Sequence, residues 1–240
     1  MTVYVFDMDG TLTPARLPMT SDCANRFCKW QKTHKSFIAT GSDYAKVEEQ
    51  LPENVINAFT GIYCSMGNVL KSRGKDIYNK KGYIPDSVLL SALESHRRNT
   101  KYPGKLFPNY IEQRPGMINF SVLGRDCPYA EREKYAAWDK ENHERLTIRS
   151  ELKKEFPDLE IAIGGSISID ITPAGNGKGQ IADHLRRTYP DEEIVFFGDR
   201  TFEGGNDYEL AQALLKFKNT RIVQVSGPAE VLDRLEKEKN

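Results

Sequence analysis

The first strand and the acidic turn after it constrain the fold more than any other feature of the chain. Residues 2–6, TVYVF, form a short β-rich run with no regular alternation of polar and apolar side chains. Such a run is typical of a strand that is buried on both faces of a sheet. It ends at Asp7, and a second carboxylate, Asp9, and a glycine, Gly10, follow at once. The chain therefore begins with a buried strand that carries charged groups at its carboxyl end.

Strand and helix patterns alternate at both ends of the chain. Further strands are predicted at 36–39, 62–64, 194–197 and 221–225, and helices at about 21–33, 42–51, 177–188, 206–217 and from Pro228 onward. Ser42 is predicted to cap the second of these helices. This alternation favours a mainly parallel sheet with helices on both faces. We therefore predict an α/β fold with a Rossmann-like three-layer core.

The middle of the chain has a different pattern. A helix is predicted over 86–98 and helical patterns run from 129 to 156, interleaved with hairpins around Pro115-Gly116 and Gly164-Gly165. Helices and hairpins in this order are typical of α+β structure. We therefore predict a catalytic core domain of residues 1–78 and 176–240, interrupted by an α+β cap, or substrate-specificity domain, at residues 79–175.

The charge balance argues against some partners. Lys and Arg number 34, and Asp and Glu also number 34, so the formal net charge is zero. Nucleic acids and anionic membranes attract a surplus of positive charge, so we expect neither as a partner. The sequence has no apolar run of membrane-spanning length. The first ten residues carry acids where a signal peptide would carry basic and apolar residues, so we predict a cytoplasmic protein. The four cysteines lack the spacing of a metal site, so we predict reduced thiols.

Polar residues occur where the predicted strands end and helices begin. Asp7 and Asp9 follow the first strand, Thr40 the second and Asp199 the fourth, while Lys178 opens a helix. The carboxyl ends of parallel strands are where ligands bind in open α/β sheets. Carboxylates that are gathered there repel one another unless a cation lies between them, and Mg²⁺ prefers oxygen ligands. The sequence therefore predicts a Mg²⁺ site, with the Lys178 ammonium as a compact charge for a phosphate.

Each of these motifs also has an ordinary structural explanation. A lone DxD after a strand is often a turn or a helix cap, and the Gly204-Gly205-Asn206-Asp207 segment alone is a loop. Their occurrence in one order, each beside a predicted element end, favours a functional site. A P-loop is excluded around Gly177-Lys178 because no Ser or Thr follows the lysine and no glycine lies five positions before Gly177.

The order DxDGT, Thr, Lys, GD and ND resembles the haloacid dehalogenase superfamily of phosphotransferases. This resemblance implies that Asp7 is an aspartyl nucleophile and that Asp9 is the general acid/base. It implies that Thr40 and Lys178 hold the transferring phosphoryl group, and that Mg²⁺ binds Asp7, the main-chain carbonyl of Asp9, and Asp199. Little more than positioning and charge neutralisation is needed for such a transfer.

The GGND segment extends this set. Its Asn206 and Asp207 are predicted to support the metal ligands through hydrogen bonds.

The predicted cap carries polar residues that suit a sugar phosphate. Arg114, Arg125 and Arg132 lie near the first hairpin, and the planar guanidinium fork matches phosphate oxygens. Ser168 and Asp170 are two apart on a predicted strand, so they face the same side, where they could bind sugar hydroxyls. The alternative is that these are ordinary surface charges, with Asp170 paired to an arginine.

The segments VFDMDGTLTPAR, IEQRPGMINFSVLGRDC, IGGSISIDITP and FFGDRTFEGGNDYE resemble the eukaryotic-type phosphomannomutases. The resemblance runs through nearly the whole chain. It implies that the three cap arginines bind the phosphate distal to the catalytic aspartate, and that Arg16, Ser168 and Asp170 also contact the substrate. It further implies interconversion of mannose 6-phosphate and mannose 1-phosphate, activation by a hexose 1,6-bisphosphate, a place in GDP-mannose synthesis, and a homodimer joined through the cap.

The chain departs from this family's pattern in three places. The run before Lys178, Ala174–Gly177, lacks an aromatic residue and an Asp, and the segment 64–68 lacks a Glu-Asn-Gly run. After Asp207 the helical pattern continues where the family has a second cation loop, so we predict no second ion. Two other functions stay open: a hexose-phosphate phosphatase, in which water accepts the phosphoryl group, and a sugar-phosphate sensor without catalysis.

Overall fold

The computed structural model describes residues 1–237, and the chain divides into two compact units. The core unit comprises residues 1–80 and the residues from Gly177 onward. The cap unit comprises Lys81–Asn176. The sequence predicted the boundaries between core and cap after residues 78 and 175, and the two units divide after residues 80 and 176.

The core unit alternates strands and helices, and the cap unit interrupts it. The first part of the core holds β1 (Thr2–Phe6), α1 (Ser21–Gln31), β2 (Lys35–Ala39), α2 (Tyr44–Gln50), α3 (Glu53–Ala58), β3 (Gly61–Cys64), β4 (Val69–Ser72) and β5 (Lys75–Asn79). The cap holds α4 (Ser87–Arg98), β6 (Ile111–Arg114), β7 (Met117–Phe120), α5 (Tyr129–Asn142), α6 (Glu144–Glu155), β8 (Leu159–Gly164) and β9 (Ser168–Pro173). The core then resumes with α7 (Gln180–Thr188), β10 (Glu193–Gly198), α8 (Tyr208–Leu215), β11 (Thr220–Gln224) and α9 (Pro228–Lys237). Within residues 1–237, no helix is both long enough and apolar enough to cross a membrane.

The core sheet has the strand order β11-β10-β1-β2-β3-β4-β5. The pairs from β11 to β3 are parallel, whereas β3 pairs antiparallel with β4, and β4 with β5. The antiparallel strands β4 and β5 were not predicted. Most of β5 is exposed and two of its five residues, Lys75 and Asp76, are charged, so its sequence lacks the apolar run that marks the central strands.

The side chains of β1 show why this strand is buried on both faces. Val3 and Val5 belong to an apolar cluster with residues of α7 and α8. Tyr4 and Phe6 belong to a second cluster with residues of α1, α2, α3 and α9. Alternate side chains point to opposite faces of a strand, so a sheet with helices on both sides requires apolar residues at every position. The prediction of an α/β three-layer core is confirmed.

Three helix starts differ from the predicted ones. The predicted cap at Ser42 is wrong, because Asp43 accepts the hydrogen bond from the Lys46 N–H at 2.9 Å and α2 begins at Tyr44. The helices predicted from residues 177 and 206 begin at Gln180 and Tyr208. The residues just before both helices form turns, and their polar side chains are engaged in the site described below rather than in capping.

The cap is an antiparallel sheet of order β6-β7-β9-β8 packed against helices. Both predicted hairpins are present, as the pairs β6–β7 and β8–β9. Ile169 and Ile171 of β9 contribute to the apolar cluster with α4, α5 and α6. Ser168 and Asp170 alternate with them, so both side chains lie on the other face of the sheet.

A buried arginine, Arg145 of α6, forms an ion pair with Asp139 of α5 and hydrogen bonds to the turn between β8 and β9. The guanidinium of Arg145 donates to the Asp139 carboxylate at 2.8 Å, and its Nη1 donates to the carbonyls of Gly164 and Gly165 at 3.0 and 3.1 Å. Asp139 also accepts the Arg145 main-chain N–H at 2.8 Å. Removing one partner of a buried ion pair leaves the other charge uncompensated, which is strongly destabilising.

We therefore expect Arg145→Ala to lower the free energy of opening of the β8–β9 hairpin by about 3 kcal/mol or more. Amide hydrogen exchange of β8 and β9 measures this free energy. Arg149→Ala is the matched control on the same helix, since its Nε donates one bond, to the Ile161 carbonyl at 3.0 Å. The control should lose about 1 kcal/mol. Equal losses in the two variants would contradict the role of the ion pair.

Candidate active site

Three carboxylates meet at the carboxyl edge of the core sheet. Phe6 of β1 pairs in parallel register with Phe197 of β10, so the acidic residues that follow the two strands emerge side by side. One carboxylate oxygen from each of Asp7, Asp199 and Asp207 lies within 4.8 Å of the others. Asp7 and Asp207 are buried, and Asp199 is partly buried. The structure thus brings together two of the predicted metal ligands and one predicted supporting residue.

Lys178 bridges two of these carboxylates. Its ammonium donates to Asp7 Oδ1 at 2.7 Å and to Asp207 Oδ1 at 2.5 Å, and its side chain is fully buried. Burial alone would lower the pKa of Lys178, but the charges of Asp207 and Asp7 outweigh burial and raise the pKa above its usual value. The lysine is therefore a permanent positive charge beside the predicted nucleophile.

Burial also sets the protonation of the acids. It raises the pKa of Asp7 well above the usual value, and the nearby charge of Asp207 raises it further, while Lys178 opposes the shift. Burial likewise raises the pKa of Asp199 to about 6, with Asp207 adding to it. The guanidinium of Arg200, whose Nε lies 3.6 Å from Asp199 Oδ2, opposes this shift together with Lys178. The two positive charges compensate the three acids incompletely, and further positive charge would favour the ionised form of the cluster.

The donor set fits a hard divalent cation. Among the residues that the structure describes, Asp7 Oδ2 and Asp199 Oδ1 are buried oxygens that accept no hydrogen bond. Gly10 lies against this cluster in a left-handed conformation (φ +89°), and a Cβ at this position would stand only 2.5 Å from Asp199 Oδ2. Unpaired buried carboxylate oxygens are costly unless something binds them, and oxygen ligands suit Mg²⁺.

Asp207 differs from the other two acids in its hydrogen bonds. Its Oδ1 accepts from Lys178, and its Oδ2 accepts from the Arg200 main-chain N–H at 3.2 Å. Since both oxygens already have donors, the geometry favours the predicted supporting role for Asp207 over direct metal ligation. The neighbouring Asn206 has a buried Oδ1 that, within residues 1–237, accepts no hydrogen bond.

The Asp9 side chain is held apart from the cluster by two donors. The main-chain N–H of Arg16 donates to Asp9 Oδ1 at 2.7 Å, and the Ser42 hydroxyl donates to Asp9 Oδ2 at 3.3 Å. Arg16 adopts a left-handed conformation (φ +65°), in which its N–H reaches back to Asp9. A carboxylate oriented from both sides is suited to a positioned acid/base, although its predicted role stays a prediction.

Ser42 was missed as a site residue because the sequence favoured it as a helix cap. It lies in the turn after β2, and its main-chain N–H donates to Thr40 Oγ1 at 3.0 Å. Thr40 and Ser42 are both buried. The available signal was the position of Ser42 at the carboxyl end of a parallel strand, where ligand-binding residues occur.

The predicted cap residues gather within the cap unit. Arg125 Nη1 donates to Ser168 Oγ at 2.8 Å, and Arg132 Nη2 donates to the Arg125 carbonyl at 2.9 Å. Arg114 and Arg125 share a carboxylate, Glu112, through bonds of 3.0 and 2.6 Å to its Oε2. Glu112 was not singled out from the sequence, although it lies two residues before Arg114 on β6 and therefore on the same face.

Asp170 pairs with an asparagine, and not with an arginine as the surface-charge alternative suggested. Its Oδ1 accepts a hydrogen bond from the Asn119 amide at 2.5 Å, and the two residues are directly opposite in the β7–β9 register. Both side chains are buried. Asn119 was also missed, because cross-strand partners cannot be identified until the register is known.

The raised pKa of Asp199 predicts a pH-dependent response to Mg²⁺. A cation that binds the ionised carboxylate competes with a proton, so the increase in melting temperature on adding Mg²⁺ should be large at pH 7.5 and small at pH 5. Since the folded-state pKa of Asp199 is raised, its contribution to the stability of the metal-free protein is present at low pH and lost as the pH rises through about 6.

Asp199→Asn should therefore raise the melting temperature of the metal-free protein at pH 7.5 and abolish the Mg²⁺ response. Differential scanning calorimetry with and without EDTA measures both effects. Asp191→Asn, an exposed acid before β10, is the control and should keep the wild-type response. A Mg²⁺ response of the same size at pH 5 and pH 7.5 would contradict the assignment.

Solved structures with the same fold include a hydrolase and a phosphatase. A haloacid dehalogenase-like hydrolase from Bacteroides thetaiotaomicron matches with a TM-score of 0.59 and 14% identity, over 99% of both chains. Trehalose-6-phosphate phosphatase from Aspergillus fumigatus matches with a TM-score of 0.54 and 17% identity, over 98% of this chain and 91% of that one. At such identities the likeness establishes the haloacid dehalogenase fold.

Sequence relatives are closer. Phosphomannomutase 2 of Dictyostelium discoideum is 34% identical over 96% of this chain and 94% of its own length. The phosphomannomutase of Saccharomyces cerevisiae is 36% identical over 87% of this chain and 84% of its own. The family model described as eukaryotic phosphomannomutase matches residues 24–237. The cluster around Asp7 and the arginine group on the cap sheet thus occur in a chain that belongs to the eukaryotic phosphomannomutase family.

Proposed function

We propose that this protein is a phosphomannomutase that interconverts mannose 6-phosphate and mannose 1-phosphate. The observation that carries the proposal is the buried contact of Asp7 with Lys178, beside Asp199, in a member of this family. Family membership supports the substrate, and the site supports the chemistry. The mutase would supply mannose 1-phosphate for GDP-mannose synthesis, in the cytoplasm.

Asp7 serves as the nucleophile in this proposal. Its carboxylate attacks the phosphorus of a hexose bisphosphate, the bond to the sugar oxygen breaks, and Asp7 carries the phosphoryl group as an acyl phosphate. Lys178 lies against Asp7 and neutralises charge that develops on the phosphoryl oxygens. Thr40, at the end of the adjacent strand β2, supplies a hydroxyl to the same group.

Asp7, the carbonyl of Asp9, and Asp199 would hold Mg²⁺ in this scheme. The bound ion supplies charge neutralisation for the phosphoryl group and its acceptor. Two carboxylate oxygens of this cluster, Asp7 Oδ2 and Asp199 Oδ1, are buried and accept no hydrogen bond from residues 1–237, which supports the assignment.

Asp9 is the proton carrier. When Asp7 takes the phosphoryl group, Asp9 gives a proton to the sugar oxygen that leaves the phosphorus. In the reverse transfer, Asp9 removes a proton from the sugar hydroxyl that attacks the acyl phosphate. The N–H of Arg16 and the hydroxyl of Ser42 hold its carboxylate in one orientation. Such positioning matters because proton transfer requires hydrogen-bond reach to the reacting oxygen.

The cap arginines bind the phosphate that is not reacting. Arg114, Arg125 and Arg132 supply fork-shaped donors for it, and Ser168 and Asp170 supply polar groups for the sugar. Reversing the ends of the bisphosphate lets each phosphate reach Asp7 in turn, so a hexose 1,6-bisphosphate activates the enzyme by phosphorylating Asp7. A homodimer joined through the cap is part of the proposal by family resemblance.

Phosphorus NMR tests the reaction directly. With Mg²⁺, mannose 1-phosphate and catalytic glucose 1,6-bisphosphate, the mannose 6-phosphate signal should appear, and omission of the bisphosphate should slow its appearance. Release of inorganic phosphate alone would instead identify a hexose-phosphate phosphatase. The same spectra with glucose 1-phosphate compare the two hexoses.

Asp7→Asn should lower the rate of mannose 6-phosphate formation by at least about 1,000-fold, since removing a nucleophile abolishes the covalent route. The exposed Asp191→Asn variant is the control and should retain wild-type turnover. Isothermal titration with mannose 6-phosphate checks that Asp7→Asn still folds and binds. Undiminished turnover by this variant would reject the nucleophile assignment.

A further inference from the structure

One carboxylate, that of Glu112, joins two of the cap arginines, Arg114 and Arg125. Glu112 Oε1 accepts from Arg114 Nε at 3.2 Å, and Glu112 Oε2 accepts from Arg114 Nη2 at 3.0 Å, so the carboxylate fills the two-pronged edge of this guanidinium. The same Oε2 lies 2.6 Å from Arg125 Nη2. This is the bidentate geometry in which a guanidinium binds a phosphate.

The three side chains differ in exposure. The arginine side chains are 3% and 8% exposed, whereas that of Glu112 is 29% exposed. The arginine side chains are therefore enclosed, while the Glu112 side chain keeps access to solvent. Arg125 is also held without Glu112, because its Nη1 donates to Ser168. Its position does not depend on the carboxylate alone.

We propose that Glu112 is an internal anion, which occupies the phosphate position of the cap arginines and is exchanged for the phosphate of the ligand. The inference rests on the proposed function, because it assigns a task to a residue of the same cap site. Glu112 acts through Arg114 and Arg125, so it is a positioning residue. It returns to the guanidiniums when the phosphate leaves and so lowers the barrier to release.

A mutase has a particular need for such an exchange. During each cycle, one phosphate of the bisphosphate must dissociate from the cap arginines and the other must bind there in its place. Two enclosed guanidiniums without a counter-ion would hold the first phosphate tightly, and tight binding that is equal in ground and transition states does not raise kcat. An internal carboxylate weakens the hold while keeping the arginines compensated when no ligand is present.

Glu112→Gln provides the test, because it keeps the size of the side chain and removes its charge. The variant should bind mannose 6-phosphate roughly tenfold more tightly in titrations of the EDTA-treated protein, since the phosphate no longer has to displace a charged carboxylate from the arginines. In the NMR assay both KM and kcat should fall. Damage to the arginine site would instead raise KM, so the direction separates the proposal from a merely structural role.

Glu151→Gln is the matched control. It removes the same charge from the same unit, and its carboxylate lies 3.7 Å from His96 rather than on the cap arginines. The control should leave affinity, KM and kcat at the wild-type values. Weaker or unchanged binding by Glu112→Gln, relative to this control, would overturn the inference.

Two further measurements keep the outcome decisive. A crystal structure of the wild-type protein with mannose 6-phosphate should show Glu112 beyond hydrogen-bond distance of Arg114 and Arg125. Retention of both contacts beside the bound phosphate would overturn the inference even if the variant failed to fold.

Arg125→Ala should weaken binding of mannose 6-phosphate. Unchanged affinity in that variant would reject the cap assignment of the proposed function itself, whereas weakened affinity without tightening by Glu112→Gln would reject only the role of Glu112.

Discussion

The buried ammonium of Lys178 between Asp7 and Asp207 is the interaction on which the core site depends. Parallel strands that end side by side deliver carboxylates to one place, and burial would drive those carboxylates to take up protons. A fully enclosed lysine at 2.5 and 2.7 Å opposes this tendency. It does so incompletely, as the raised pKa of Asp199, to about 6, shows. The remaining deficit of positive charge is what makes the cluster a candidate for a divalent cation.

In the cap unit, the arginine group has an excess of positive charge where the core cluster has an excess of negative charge. There the concentrated charges are guanidiniums, and the carboxylate of Glu112 pairs with two of them, those of Arg114 and Arg125. In both units, groups of like charge are gathered beside a sheet and are compensated in part by groups of opposite sign. Each set is therefore suited to bind a ligand whose charge is opposite to that of the group in excess. This arrangement suits a reaction in which a phosphate dianion must be bound, passed on and released.

Much of the site was predictable because position along the strands determines it. Buried strand β1 and the placement of Asp7 and Asp199 beside each other follow from an apolar run and from parallel topology. The contacts of Ser42 and Glu112 were not predictable in the same way. A serine before a helix suits a cap as well as a ligand, and a glutamate among charged residues carries no signal until three-dimensional neighbours are known. Exposed, charged β5 lacked a strand pattern because it lies at the sheet edge.

The left-handed turn at Arg16 separates two tasks within one residue. The main-chain amide orients Asp9, while the side chain extends from the same position and is predicted to contact the sugar. Every amino acid except proline has that amide, and glycine or asparagine would adopt the same backbone conformation with less strain. A change of side chain at position 16 can therefore alter the predicted sugar contact, while the main-chain hydrogen bond that orients Asp9, the predicted acid/base, is kept.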